Sequence, residues 1–196
     1  MCEPDEQQEL TEKKRILRSA VREKVRALSK EYCRLADQGI FRKVISLPEY
    51  QAAETVFCYV GTEQEIDTMP ILRDILASGK RLGVPKCVGR GVMEVRSVTR
   101  LEDLKPGKFG IPEPDEDSEV IPPEEIGLGL IPCLTCTRKG ERLGYGGGYY
   151  DRYLVRGTFP KAVLCREEIL SDSVPAGEYD QKTDIVVTEN KVLHCL

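Results

Sequence analysis

The chain has 196 residues, 40% hydrophobic and 32% charged, with a formal net charge of −4. A chain of that size and composition is expected to fold as a globular domain that buries roughly 70% of its unfolded surface. The acidic balance, with a sequence pI near 5.3, argues against general nucleic-acid binding, and no apolar run approaches the ~18–20 residues of a membrane span. The first residues, Met1-Cys2-Glu3-Pro4-Asp5-Glu6, are acidic and polar, unlike a signal or transit peptide, so a cytoplasmic location is expected.

Residues from about Gln8 to Leu35 read as one long amphipathic helix, because Leu10, Leu17, Val21, Leu28, Tyr32 and Leu35 recur at helical spacing. Lys14, Arg18, Arg22 and Arg26 follow every four residues and form a basic ridge. Like charges so spaced repel by ~0.2–0.5 kcal/mol per pair. A solvated face with Glu12 and Glu23 nearby accounts for the ridge; a ridge partly aimed at a bound anion is the sharper alternative. A second short helix is expected around Gly39–Leu47. Thr55–Val60 is a continuous apolar run, as in a strand buried on both faces. Thr68–Ser78 carries a helical pattern in Met69, Leu72, Ile75 and Leu76, and Gly79 stops it.

Arg81–Pro85 and Gly91–Val98 read as strands, the second with alternation in Val92, Glu94, Arg96 and Val98. Lys105–Pro123, with five prolines and a dense acidic group, reads as a surface loop wrapping the domain. Gly127–Ile131, Lys161–Cys165 and Asp184–Thr188 supply further strands. Strands separated by helical patterns predict a single three-layer α/β/α domain over residues 1–196, with a mostly parallel central sheet and a long N-terminal helix. In such sheets ligands sit beyond the carboxyl ends of the strands.

The densest local signal is Gly140-Glu141-Arg142-Leu143-Gly144-Tyr145-Gly146-Gly147-Gly148-Tyr149-Tyr150-Asp151-Arg152-Tyr153. Glycines admit otherwise forbidden dihedrals and bring N–H groups close to an anion. Arg142 offers a planar fork of donors for phosphate oxygens, and Asp151 is the hard oxygen ligand that Mg²⁺ takes. The run from Tyr149 to Leu154 reads as a helix whose N-terminus would face the anion. A flexible surface turn followed by an ordinary helix is the plain alternative. Two familiar loops are excluded: a Walker A loop ends in Gly-Lys-Ser/Thr, and a dinucleotide fingerprint needs a glycine where Tyr149 stands.

The eight cysteines lie far apart, several within apolar runs, and read mostly as small core hydrophobes. Cys133 and Cys136 form a C-x-x-C, yet no second pair of ligands is spaced to complete a structural zinc site. The single histidine, His194, stands near the C-terminus, so histidine-based acid/base chemistry is not expected.

Arg142-Leu143-Gly144-Tyr145-Gly146-Gly147-Gly148-Tyr149-Tyr150-Asp151 closely resembles the signature of the 5-formyltetrahydrofolate cyclo-ligases, also called 5,10-methenyltetrahydrofolate synthetases. Weaker matches fall in the right order: Lys14-Arg15-Ile16-Leu17-Arg18, Glu65-Ile66-Asp67-Thr68, Phe109-Gly110-Ile111-Pro112-Glu113-Pro114, and the closing Tyr179-Asp180-Gln181-Lys182-Thr183-Asp184. Together they span residues 14–184.

The resemblance implies ATP- and Mg²⁺-dependent cyclisation of 5-formyltetrahydrofolate to 5,10-methenyltetrahydrofolate, with release of ADP and phosphate. It places Lys14 and Arg18 on ATP phosphates and Arg142 with them as the charge-stabilising trio. Leu143, Gly144, Tyr145, Gly146, Gly147, Gly148, Tyr149 and Tyr150 would wrap the nucleotide. Val60, Glu65 and Phe109, with Tyr145 to Tyr149, would lie against the folate, polyglutamylated or not. Asp151 and Asp184 would serve the metal. Nucleic-acid and membrane partners are not expected, and a monomer is.

The chain departs from the family pattern twice: no acid stands at Thr137, so Pro132 to Thr137 receives no function, and Gly147 takes the place of a frequent lysine. Arg142 is expected to face solvent and to carry little packing. Two alternatives stay open. One is a relative that binds a nucleotide or other phospholigand on the same fold without cyclo-ligase activity. The other is a thiol-redox or zinc module built on Cys133 and Cys136.

Overall fold

The computed structural model describes residues 4–195. Helices α1 (Pro4–Ala27), α2 (Lys30–Ser46) and α3 (Pro48–Ala52) lead into strand β1 (Thr55–Cys58), helix α4 (Met69–Ala77) and the antiparallel pair β2 (Arg81–Gly89) and β3 (Val92–Val98). Short strands β4 (Lys105–Pro106) and β5 (Pro112–Glu113) follow, then β6 (Leu128–Ile131), β7 (Thr135–Cys136) and β8 (Arg142–Leu143). Helix α5 (Tyr149–Leu154) precedes β9 (Lys161–Leu164), β10 (Ile185–Val187) and β11 (Val192–His194).

The expected single N-terminal helix is two. The apolar period runs unbroken to Leu35, but Ser29 adopts an extended conformation and its hydroxyl accepts from the Tyr32 amide at 3.1 Å, starting α2 afresh. A serine with a free amide two or three residues ahead favours such a cap by ~1 kcal/mol. The expected short helix at 39–47 is the second half of α2. The acidic loop is not featureless either: β4 pairs with β5 and holds a tight turn through Phe109 and Gly110 at its tip.

Seven strands form one sheet in the order β11-β10-β9-β6-β1-β2-β3, parallel from β10 through β2 and antiparallel only at the two edges. Alternating residues go to opposite faces. Val56, Cys58, Leu128, Leu130, Ala162 and Leu164 pack under Ile40 and Val44 of α2 and Ile71, Leu72 and Ile75 of α4. Phe57 and Ile131 meet Tyr153 and Leu154 of α5 on the other face, and Val163 and Val186 meet Val21 of α1. Burying one such side chain contributes roughly 1.5–3 kcal/mol, so the layers are held mainly by apolar burial.

The topology places the site. From β1 the chain crosses to β2, whereas from β6 it crosses to β9 on the other side, so the strand order reverses between β1 and β6. A crevice opens at that switch point, beyond the carboxyl ends of the two strands. Among the described residues, no helix is long and apolar enough to cross a membrane.

Candidate active site

Both strands flanking the crevice end in built turns. After β1 the chain bends at Gly61, where a Cβ would lie 2.0 Å from the Ile66 carbonyl oxygen, so only glycine fits. The fully buried Thr68 ties the turn: its hydroxyl donates to Tyr59 O at 2.8 Å and accepts from the Gly61 amide at 2.9 Å. After β6, the hairpin of β7 and β8 carries the chain out and back. Thr137 closes that hairpin by accepting from the Lys139 and Glu141 amides, and Gly140 completes the turn at φ 80°. The unassigned segment from Pro132 to Thr137 thus has a structural task.

On the return strand stands Arg142, and here the expectation of a solvent-facing arginine fails. Its residue is only 7% exposed. Nη1 donates to Pro132 O at 3.2 Å, Nη2 to Asp151 Oδ1 at 2.7 Å, and the guanidinium lies 5.8 Å from the centroid of the Tyr150 ring. Both residues of β8 are buried, as are both of β7, so the hairpin is covered on its two faces and Arg142 is enclosed along with Leu143. Its Nε is buried without a partner. An orphaned donor on a buried cation is costly, and a ligand oxygen would remove the cost.

The loop beyond is shaped by Gly146 at φ 103° and Gly148 at φ 66°, both in the region that favours glycine. α5 has only six residues, so a helix-end contribution to anion binding is not supported. Tyr150 stacks on Phe57 with centroids 6.0 Å apart and planes 11° apart, and Leu143 is buried in the core. These two of the expected nucleotide-wrapping residues point inward and shape the loop from beneath, leaving their backbones to reach a ligand.

Helix α1 reaches this loop. Arg18 Nε donates to Gly144 O at 2.9 Å, and its guanidinium lies against Gly146. Burial and the neighbouring Arg22 lower the Arg18 pKa, with Asp180 and Asp151 opposing them, so Arg18 sits in the field of both acids. Lys14 Nζ donates to both oxygens of Asp180, at 2.7 and 2.5 Å. The adjacent Gln181 amide donates to Asp151 Oδ1 at 3.3 Å. Lys14, Arg18, Arg142, Asp151 and Asp180 therefore form one polar cluster around the glycine loop.

Asp184 is not part of it. Its carboxylate accepts from the Lys161 amide at 2.8 Å, at the amino end of β9, the wrong end of a parallel sheet for a ligand. The acid that reaches the site from the closing motif is Asp180. The motif was visible in the sequence, but only the fold shows which of its two aspartates turns towards α1.

On the other side of the crevice, Val60 is buried, while Glu65 Oε2 accepts from the Thr62 amide and hydroxyl at 3.0 and 2.8 Å. Tyr145 is 45% exposed as a residue, yet burial of its phenol end and the nearby Glu65 raise its pKa. Phe109 is 76% exposed and holds φ 60°, a left-handed conformation uncommon for a bulky residue, with its ring edge-to-face against Tyr149 at 6.1 Å. A strained, exposed aromatic beside a crevice is the pattern of a ligand contact.

Arg166, beyond the carboxyl end of β9, escaped the sequence reading because no motif surrounds it. It is bidentate to Asp37 at 2.8 and 2.9 Å and donates to Glu65 O at 2.7 Å, fixing the turn that carries Glu65. Burial alone would lower its pKa; Asp37 more than offsets this and holds it above the usual value.

The fold and these side chains define an α/β domain with a basic, glycine-lined site at a sheet switch point. Residues 10–189 match the 5-formyltetrahydrofolate cyclo-ligase family. The chain is 32% identical over 172 residues to the Schizosaccharomyces pombe protein named "Probable 5-formyltetrahydrofolate cyclo-ligase", covering 79% of this chain and 84% of that one. It is 29% identical over 190 residues to the Mus musculus 5-formyltetrahydrofolate cyclo-ligase, covering 90% and 94%. The solved structure of Aquifex aeolicus 5,10-methenyltetrahydrofolate synthetase superposes with a TM-score of 0.81 at 30% identity, covering 92% of each chain. The chain belongs to the 5-formyltetrahydrofolate cyclo-ligase family, a family of enzymes.

Proposed function

We propose that the protein uses ATP to close 5-formyltetrahydrofolate into 5,10-methenyltetrahydrofolate, releasing ADP and phosphate. The observation that carries this reading is the convergence of Lys14, Arg18 and Arg142 with Asp151 and Asp180 on one glycine loop, beside the Glu65–Tyr145–Phe109 wall.

An amide-like formyl carbon is a poor electrophile, and its oxygen must first become a leaving group. ATP is a co-substrate, consumed at each turnover. A bond forms between the formyl oxygen and the terminal phosphorus as the bond to ADP breaks. N10 then attacks the formyl carbon, the C–O bond breaks, and the leaving phosphate takes the N10 proton. Such transfer rests on positioning and charge stabilisation more than on a strong protein base, which suits a chain with one histidine.

Arg18, braced on Gly144, and Lys14 would steer the phosphates, and the orphaned Nε of Arg142 would meet phosphate oxygen. The donor set fits Mg²⁺: Oδ1 of Asp151 is held by Arg142 and Gln181, while its Oδ2 makes no hydrogen bond among the described residues, and Asp180 stands on the adjacent residue to Gln181. These two carboxylates would hold the ion, which when bound screens the triphosphate charge. Glu65, Tyr145, Tyr149 and Phe109 would hold the folate and exclude water.

The direct test mixes protein, Mg-ATP and 5-formyltetrahydrofolate and follows methenyl-folate absorbance together with ADP release. Growth of both in equal amounts is expected. ATP binding without folate-dependent ADP release would instead identify a non-catalytic relative.

A further inference from the structure

The C-x-x-C of Cys133 and Cys136 plays no part in this chemistry, yet the fold adds a third sulfur to it. Cys133 follows β6, Cys136 lies on β7, and Cys165 follows β9, 29 residues further on. Their Sγ atoms all lie within 4.8 Å of one another, and the residues are 8%, 0% and 1% exposed. All three are free thiols. Sequence spacing cannot show this, because β9 joins β6 only through sheet pairing.

We infer that Cys133, Cys136 and Cys165 form a three-sulfur binding site for a trivalent, three-coordinate thiophilic ion, of which arsenous acid, As(OH)₃, is the simplest source. Three features select that class. First, no histidine, aspartate or glutamate ligand atom joins the group among the described residues, so a zinc ion, which closes four ligands in structural sites, would lack one. Second, the surroundings are apolar: Val21, Val163, Leu134 and Ile169 pack around the sulfurs. A complex of three thiolates with a trivalent ion is neutral, whereas Cu(I) or Zn(II) would leave a buried negative charge. The nearby cation, Arg166, is already paired with Asp37 and cannot balance it. Third, a metal–sulfur bond of about 2.3 Å around a pyramidal three-coordinate ion places the sulfurs about 3.5 Å apart, which small rotamer shifts reach from sulfurs already within 4.8 Å of one another.

The step balances without an oxidant. Three As–S bonds form and three As–O bonds break, and the three thiol protons leave on the three hydroxides as water. The narrow cleft lined by Cys133, Cys165, Glu65 and Tyr145 holds about 10 Å³ of free volume, no more than about one water, so the ion enters only as that wall opens.

The test titrates the full-length reduced protein with arsenous acid. Native mass spectrometry should show one arsenic added with loss of three protons, and X-ray absorption should show three sulfur neighbours and no oxygen. Cys136→Ser should weaken binding at least tenfold, and Cys33→Ser, at a half-buried position of α2 outside the three-sulfur group, should leave it unchanged; circular dichroism checks that each variant folds. Should Cys136→Ser not fold, the absorption spectrum of the unmutated protein still decides. Failure to bind, two sulfurs plus an oxygen, or equal loss in Cys33→Ser would overturn the assignment. Tighter stoichiometric binding of Zn(II) or Cu(I) than of arsenic would overturn the charge argument and the ion class with it.

Discussion

Two buried arginines flank the crevice, and they differ in how far their donors are satisfied. Arg166 is paired bidentately with Asp37, whose side chain is 13% exposed, and spends its remaining donors on the carbonyls of Gln64 and Glu65. Arg142 holds Asp151, 25% exposed, through a single nitrogen, and keeps a buried Nε with nothing to donate to. The first is a closed structural joint. The second is an ion pair with one donor and one carboxylate oxygen left over, the condition in which a ligand improves both partners. Burial alone does not separate a structural from a functional arginine; the tally of unmet hydrogen bonds does.

This contrast predicts different losses. Arg142→Ala should lower turnover by about 10²–10³, the usual cost of losing a preorganised donor to a developing charge. It should also destabilise the fold by about 3 kcal/mol, since it leaves Asp151 beside the core without its partner. Arg142→Lys should regain much of the stability and little of the turnover. Steady-state kinetics and urea melts check both, and wild-type turnover in Arg142→Ala would remove it from the mechanism.

Arg166→Ala comes next. A loss of about 3–5 kcal/mol in stability is expected because the nearly buried Asp37 is stranded. At temperatures where the variant stays folded, kcat should change by less than about threefold while KM for the folate rises as the Glu65 turn loosens. A kcat loss rivalling that of Arg142→Ala would erase the distinction.

Much of this was legible in the chain. Apolar runs in Thr55–Cys58 and Leu128–Ile131 announced central strands, because residues buried on both faces leave no polar alternation to misread. The glycine loop and the basic pair on α1 were visible because their residue types are unusual together. What stayed hidden depended on direction. Nothing local says that a two-residue ladder turns Arg142 inward, that Tyr150 stacks on Phe57, or that Asp180 and not Asp184 faces α1. Ser29 was hidden differently: the apolar period that suggested one helix continues through it, and only the cap marks the break.

The aspartates offer a smaller and sharper test. Asp180→Asn should raise the Mg²⁺ concentration needed for half-maximal rate by about tenfold; because Lys14 and Asp180 are only 17% and 24% exposed but asparagine keeps an acceptor for Lys14, its stability cost should be about 1–2 kcal/mol. Asp184→Asn removes a charged acceptor from the Lys161 amide, so it should cost a similar ~1 kcal/mol of stability while the Mg²⁺ requirement is unchanged. Magnesium titrations of the two variants side by side decide the matter, and the reverse pattern would restore Asp184 to the metal.

The smallest expected effect concerns Phe109, the one described non-glycine residue with positive φ. A left-handed conformation costs an ordinary residue about 1–2 kcal/mol, and glycine removes that strain while adding about 0.4–1 kcal/mol of unfolded-chain entropy. With a side chain 76% exposed at the residue level and little packing to lose beyond the Tyr149 edge, Phe109→Gly should leave stability unchanged or raise it by up to ~1 kcal/mol. If the strain serves folate binding, KM for 5-formyltetrahydrofolate should nevertheless rise severalfold with KM for ATP unaffected. A stability gain without any change in folate KM would mean that the turn between β4 and β5 carries its strain for some purpose other than the crevice.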